Sequence, residues 1–275
     1  MKAPITYYGG KFYQAAWILD VFKRYEFKAY IEPFGGSGAM LFAKEPSPVE
    51  VYNDLYSDLV TFYRVRRDPK TFKAFVRFVE NSPYSRELFY ESKRALASEN
   101  LSDVERAGHF FILVRQSFGS LRNNWSAVGK YPKTQAQPYR NAIDRLPEVH
   151  ARLRNVHIEH KDAVDCIKHY ASPKSLIYID PPYVLATRVS PEGYKHELTD
   201  EQHERLVETL LSVPGHKILS GYESPIYQPL LDAGWTLHKK RFACYASQHK
   251  QTYRTECLYC SPIETVNLPD LRFVV

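Results

Sequence analysis

Short apolar runs alternate with longer amphipathic stretches along the chain, and glycine, proline and acidic residues mark the changes between them. Ala29–Phe34 reads as a short buried strand, followed by a glycine turn and the apolar stretch Ala39–Ala43. Val49–Asp54 alternates as a second strand and ends in an acid. From Ser57 to Phe118 the period turns helical, with Leu59, Phe62, Tyr63, Phe72, Phe75, Val76 and Val79 recurring on one face. Residues 119–142 are rich in Gly, Asn, Ser, Pro and Gln and predict a loop or hairpin. Strand and helix then alternate through Val156–His160, Ala163–Tyr170, Leu176–Asp180, Glu201–Leu211 and Lys217–Gly221. Thr199 with Gln202 three residues later predicts a capping box that opens the helix at Glu201. Thr236–Phe242 and Glu256–Cys260 read as two strands around a polar loop. The pattern is β-α-β, a helical insert, then β-α-β-α-β, which predicts an α/β sheet interrupted by a second, mainly helical domain.

Composition narrows the class. Of 275 residues, 44% are hydrophobic and 25% charged, which excludes a disordered or fibrous chain. The formal charge of +6 is unevenly distributed. Residues 61–155 hold 18 Lys and Arg against 9 Asp and Glu, a surplus of +9, while the rest of the chain is at −3. A basic block beside a near-neutral core suits nucleic-acid binding, with a solvated helical surface as the simpler alternative. Four cysteines are too few for a disulfide scaffold and point to a reducing compartment. Cys257 and Cys260 form a lone C-x-x-C without a second ligand pair, so strand packing is expected there and no metal. The opening MKAPITYYGGK lacks the apolar region of a signal peptide, and Phe110–Val114 is too short to span a bilayer. A soluble, cytoplasmic protein without membrane association is expected.

Four motifs bear on chemistry. Glu32-Pro33-Phe34-Gly35-Gly36-Ser37-Gly38-Ala39 directly follows a predicted strand, where glycines let the backbone turn sharply and approach a nucleoside-type ligand. Asn53-Asp54 closes the next strand, where an acid can accept hydrogen bonds from ribose hydroxyls or cap the following helix. Asp180-Pro181-Pro182-Tyr183 follows the apolar strand Leu176–Ile179, and its prolines remove two N–H groups and leave carbonyls free to face a pocket. The amine of a nucleobase is a poor nucleophile because its lone pair is delocalised into the ring. A carboxylate and a backbone carbonyl can accept its two hydrogens and localise that pair, while Tyr183 can stack on a base drawn out of the helix. Tyr7-Tyr8-Gly9-Gly10-Lys11 sets aromatic faces and a cation beside glycines, suited to the carboxylate and sulfonium of a cofactor.

The order YYGGK, EPFGGSGA, ND, RQSF and DPPY resembles the Dam-type DNA adenine-N6 methyltransferases over nearly the whole chain, from Ile5 to about Cys260. The resemblance implies a Rossmann-like methyltransferase sheet with an inserted, mainly helical DNA-recognition domain. Residues 1–60 and 151–275 would form the catalytic domain and 61–150 the insert. It further implies S-adenosylmethionine as cofactor, contacted by Tyr7, Lys11, Phe34, Gly36, Gly38, Asp54, Asp162 and Asp180. Asp180, Pro181, Pro182 and Tyr183 would hold a flipped adenine. Double-stranded DNA is the implied partner, with Arg115, Arg122, Asn123, Asn124, Lys130 and Lys133 as the insert's donors to phosphates and base edges. A monomer suffices for this chemistry, and a cognate restriction endonuclease is a possible companion of a bacterial or phage-encoded enzyme acting on the nucleoid. Tyr7 stands where relatives often carry Trp, and the hairpin expected over Gly119–Pro138 matches them poorly, which leaves the recognition sequence open. An RNA adenine or a protein amide could be activated by the same chemistry. A nicotinamide-dependent oxidoreductase would leave DPPY unexplained, and a non-catalytic DNA-binding protein would need only the basic block.

Overall fold

The central strands form where the apolar runs are buried on both faces. In β4 (Ser175–Ile179) every residue is buried, as expected of a central parallel strand. The computed structural model describes residues 1–6, 10–11, 13–118, 122–127, 135–188, 195–244 and 252–263. Besides β4 the strands are β1 (Ala29–Glu32), β2 (Val49–Asn53), β3 (Val156–Glu159), β5 (His216–Gly221), β6 (Thr236–Cys244) and β7 (Thr252–Cys260). They make one sheet in the order β3-β2-β1-β4-β5-β7-β6. The first five are parallel, and β7 runs antiparallel between β5 and β6. The chain winds from β1 outward through β2 to β3, then returns to the middle and winds the other way from β4 to β5. The order therefore reverses between β1 and β4, and the carboxyl ends of those two strands flank the crevice where open α/β sheets bind ligands. This is the expected mixed α/β, Rossmann-like arrangement.

Alternation along the strands divides the core into two layers. Tyr30, Leu176, Tyr178 and Leu258 face one layer, and Ile31, Ile177, Ile179 and Tyr259 face the other. Cys260 belongs to the first layer and Cys257 to the second, so the two thiols lie on opposite faces of the sheet and pack rather than converge.

Helices cover both faces: α1 (Ala15–Phe22), α2 (Ala39–Ala43), α3 (Ser57–Val65), α4 (Pro69–Glu80), α5 (Arg86–Ala95), α6 (Asp103–Gln116), α7 (Ala136–Asp144), α8 (Leu146–Leu153), α9 (Ala163–Tyr170), α10 (Asp200–Ser212) and α11 (Gln228–Asp232). The helical stretch 57–118 is cut into four at its caps. Asp68 accepts from the amides of Lys70 and Thr71 ahead of α4, Ser85 caps α5, and Ser102 with Glu105 forms a capping box at α6. The capping box of Thr199 and Gln202 forms as expected at α10. The loop expected over 119–142 is shorter, because α7 begins at Ala136. Pro138 sits in its first turn, where a missing N–H costs little, and Tyr139, Ala142 and Ile143 bury one face. Phe75, Val79, Phe110, Phe111, Val114, Tyr139 and Ile143 share one apolar cluster with Tyr30, Tyr52 and Tyr178 of the sheet. Among the described residues, no helix is long and apolar enough to cross a membrane.

Candidate active site

The turn after β1 is held open by its neighbours. The Gly35 amide donates to the Asn53 carbonyl (2.7 Å), and the Gly38 amide to the Gly35 carbonyl (2.7 Å). Gly36 and Gly38 have φ of 49° and 67°, the left-handed region that glycine enters without strain. At Gly35 the constraint is space, since a Cβ would lie 2.2 Å from a ring carbon of Tyr52. The Tyr52 hydroxyl donates to the Gly36 carbonyl at 2.7 Å, and the Tyr63 hydroxyl to the Ser37 carbonyl at 2.5 Å. Two tyrosines thus turn those carbonyls inward and fix the shape of the loop.

The next strand end locks onto the same turn. Asp54 accepts the Gly36 amide on Oδ2 and the Tyr56 amide on Oδ1, both at 2.8 Å. Burial raises the Asp54 pKa, partly offset by those two amides. Buried Asn53 ties three strand ends together. Its amide donates to the carbonyls of Pro33 (2.8 Å) and Lys161 (3.1 Å), and its Oδ1 accepts the Lys161 amide (2.9 Å). Asp162 caps α9 by accepting from Val164 at 3.0 Å, and it also lines the cleft.

At the end of β4, Asp180 pairs with buried Lys11 at 2.9 Å. Burial pushes the Asp180 carboxyl up to about 6, while the Lys11 charge holds it down and Glu256 adds to the rise. Tyr183 is 6% exposed. Its hydroxyl donates to Glu256 Oε2 at 2.7 Å and lies 3.1 Å from Ser220 Oγ. The Lys11 ammonium stands 4.6 Å from its ring centre, and Tyr222 packs edge-on at 4.7 Å between centroids.

These ends enclose a cleft of ≈ 1180 Å³, counted out to its open mouth. Lys11, Phe34, Gly36, Asp54, Asp162, Asp180 and Pro182 all line it. Gly38 stands behind the wall as the N-cap of α2, and Pro181 and Tyr183 lie beneath the surface. Tyr7 lies outside the described residues.

Glu32 is a cleft residue that the sequence reading passed over. It is buried, accepts from the Tyr30 hydroxyl and the Leu41 amide on Oε2 (3.1 Å each), and burial pushes its pKa up to about 8. The available signal was an acid at the end of an apolar strand, masked there by the glycines that follow it. A second wall comes from residues 195–198. At their start the Lys195 ammonium lies 4.3 Å from the Tyr56 ring centre. Beside them, Arg188 and Glu197 pair through both guanidinium nitrogens (3.2 and 2.6 Å).

Arg122 reaches a residue of the cleft wall. Arg122, with φ of 63°, sets its guanidinium 5.0 Å from the ring centre of Tyr56, a cleft residue. Asn123 and Asn124 are exposed on the same turn, which is closed by the Phe118 amide on the Asn124 carbonyl (2.8 Å) and a bridge between Ser117 and Trp125. Arg115 donates to the Pro138 carbonyl at 2.8 Å, and burial lowers its pKa to about 10. Lys130 and Lys133 lie outside the described residues.

The sequence is similar to that of known proteins. M.MjaIII of Methanocaldococcus jannaschii, a Type II methyltransferase, is 27% identical over 199 residues, which cover 65% of this chain and 67% of that protein. Residues 7–242 match the family described as D12 class N6 adenine-specific DNA methyltransferase. That match runs from the segment before Lys11 into β6 and takes in every strand end that lines the cleft. The chain therefore belongs to the D12 class of N6 adenine-specific DNA methyltransferases, enzymes that methylate adenine in DNA.

Proposed function

We propose that the cleft holds S-adenosylmethionine and an adenine flipped out of duplex DNA side by side, at the ends of β1 and β4. The observation that carries this reading is the Lys11–Asp180 pair at 2.9 Å facing the glycine turn within one cleft. The donor set fits an amino acid joined to a nucleoside. Lys11 offers a cation for a carboxylate, Asp180 an acceptor for an ammonium, and Asp54 with Asp162 acceptors for hydroxyl and amine hydrogens. When bound, S-adenosylmethionine supplies a methyl carbon on a positively charged sulfur.

The chain's own residues then act on the base. The Asp180 carboxylate and the Pro181 carbonyl accept the two hydrogens of the adenine amine, which localises the lone pair on nitrogen. With a pKa near 6, Asp180 can take up the proton released on methylation and pass it to water near neutrality. Tyr183 is anchored through its hydroxyl and presents its ring to the base. Stacking there requires the Lys11 ammonium, now over that ring, to turn toward the cofactor's carboxylate.

The insert, residues 61–150, supplies the DNA grip. Exposed Asn123 and Asn124 reach base edges, Arg122 stands between them and the cleft rim, and Lys130 and Lys133 add phosphate contacts. Arg115 ties the end of α6, from which this turn begins, to α7 through the Pro138 carbonyl. The enzyme acts as a monomer in the cytoplasm, and the Type II relative makes a restriction endonuclease of matching specificity its natural companion.

The test is transfer of labelled methyl groups from S-adenosylmethionine to duplex DNA, followed by nucleoside analysis. Label in N6-methyladenine, lost in Asp180→Ala, is the expected result. Label in RNA alone, or undiminished transfer by Asp180→Ala, would overturn the reading.

A further inference from the structure

The Asp180–Tyr183 turn has a buried support that the chemistry above does not use. His203 lies in the first turn of α10 and is fully buried. Its place is set beside the Thr199–Gln202 capping box by the helix's first backbone bond, in which its own amide donates to the Thr199 carbonyl at 3.0 Å. The ring's Nδ1 is 3.0 Å from the hydroxyl of Tyr227, a residue of the 3-10 turn Pro225–Tyr227 after β5. Tyr227 is itself held fast: it is 1% exposed, packs edge-on against Tyr259 at 5.3 Å, and lies so close to Gly221 that a Cβ there would sit 3.2 Å from its ring.

The other ring nitrogen, Nε2, is buried and completes no hydrogen bond among the described residues. The backbone group that acts on the ring is that of Pro182, inside the DPPY motif, and it favours a proton on the imidazole. Burial lowers the His203 pKa, so the ring is neutral near pH 7 and carries a single N–H. Only one tautomer satisfies both sides. With the Tyr227 hydroxyl donating to Nδ1, the hydrogen falls on Nε2, the nitrogen left for the Pro182 carbonyl; the reverse tautomer would leave Nε2 a lone pair against that carbonyl. A buried N–H without an acceptor is costly, and catalytic hydrogen bonds that are long in the free enzyme tighten when substrate is in place.

We propose that His203 is a positioning residue for methyl transfer: its Nε2–H holds the Pro182 carbonyl and so fixes the turn that presents Asp180 and the Pro181 carbonyl to the adenine amine. The inference rests on the adenine-holding role proposed above for that turn. Tyr227 sets the tautomer, and α10, through its capping box, sets the ring's height against the motif.

The test compares His203→Gln, His203→Asn and Tyr227→Phe in single-turnover methylation of duplex DNA with saturating S-adenosylmethionine. A glutamine amide reaches the position of Nε2, whereas an asparagine amide reaches only that of Nδ1. Misplacing reacting groups by about 1 Å costs on the order of 10²-fold, so His203→Asn should lose about that much in rate. His203→Gln should stay within several-fold of the unaltered enzyme. Cofactor affinity by calorimetry and the thermal midpoint should be nearly equal in the two variants, which a merely structural role would not combine with a rate difference. Equal rates for Gln and Asn, or an undiminished rate in Asn, would overturn the proposal. Nitrogen-15 NMR of the unaltered protein gives a readout independent of activity: the Nε2–H tautomer is expected, and the Nδ1–H tautomer would overturn it. If the unaltered enzyme transfers no methyl group to adenine, the functional reading fails, and the tautomer still decides whether His203 faces the motif as stated.

Discussion

Replacing Lys11 by methionine should move the acid limb of the enzyme's pH profile. Methyl transfer as proposed needs Asp180 ionised, and its carboxyl titrates near 6 because burial raises it while Lys11 holds it down. Activity should thus be full above about pH 7 and fall toward tenfold per unit below 6. The ammonium lies 2.9 Å from Oδ1, where two unit charges attract by ~6 kcal/mol at an effective dielectric of ~20 and by ~1.4–3 kcal/mol at the ~40–80 of a wetter cleft. Both side chains are largely buried, so the wetter figure is the least the pair contributes, and it corresponds to ~1–2 pH units. Lys11→Met should therefore carry the limb upward by at least that amount, with a loss far greater at pH 7 than at pH 9. The assay is kcat/KM for S-adenosylmethionine against pH, which reports the free enzyme. A limb that stays in place, or moves to lower pH, would refute the electrostatic argument. A loss equal at every pH would confine Lys11 to binding.

Three further outcomes follow from buried groups. Glu32 keeps its proton to about 8 in the fold but releases it near 4.5 when unfolded, so its contribution to stability declines as pH rises across that interval and is level above it. Glu32→Gln should raise the thermal midpoint near pH 8.5 by the equivalent of roughly 2–4 kcal/mol and leave it unchanged near pH 4.5, and a pH-independent difference would refute this. Gly35→Ala forces a Cβ to within 2.2 Å of the Tyr52 ring. It should cost about 1–3 kcal/mol of stability and weaken cofactor binding at least about tenfold, both checked by calorimetry; undiminished affinity would show that the turn can relax. Arg66 is fully buried, its guanidinium carbon lies 3.1 Å from the Phe62 ring centre, and none of its three side-chain nitrogens has a hydrogen-bond partner among the described residues. Arg66→Met should stabilise the fold by about 1–3 kcal/mol in denaturant titrations, and a destabilised variant would show that ring contacts outweigh desolvation.

The sheet was legible because its strands are short apolar runs that end in chemically marked turns. Ala29–Glu32 and Ser175–Ile179 could be read from residue type alone, and so could the cleft residues Lys11, Asp54 and Asp180 that follow such strands or their glycines, whereas Asp162 was pointed to only by the family resemblance. What escaped depends on contacts distant in sequence. Glu32 looks like part of a turn until Tyr30 and Leu41 close over it. His203 reads as one polar residue of an exposed helix until Tyr227, 24 positions later, packs on it. Arg115 could be a phosphate clamp or a structural donor by sequence, and its hydrogen bond to the Pro138 carbonyl is visible only once α7 is in place. That helix was itself hidden by a composition typical of loops.

The hydroxyl of Tyr63 on the Ser37 carbonyl has a bearing on how new specificities arise in this chain. Tyr63 belongs to α3, the helix that enters the proposed insert, and shares its apolar cluster with Phe110 and Val114 of α6, which leads into the turn proposed to face DNA. A graft that exchanged the whole of residues 61–150 with a relative would replace a strut of the cofactor loop along with the recognition surface. A cut at Ser117 and Trp125, where one bridge closes the turn, would exchange the exposed asparagines and leave that strut intact. On the proposed reading, target choice can drift within that turn, while the helices that carry it stay tied to the cleft.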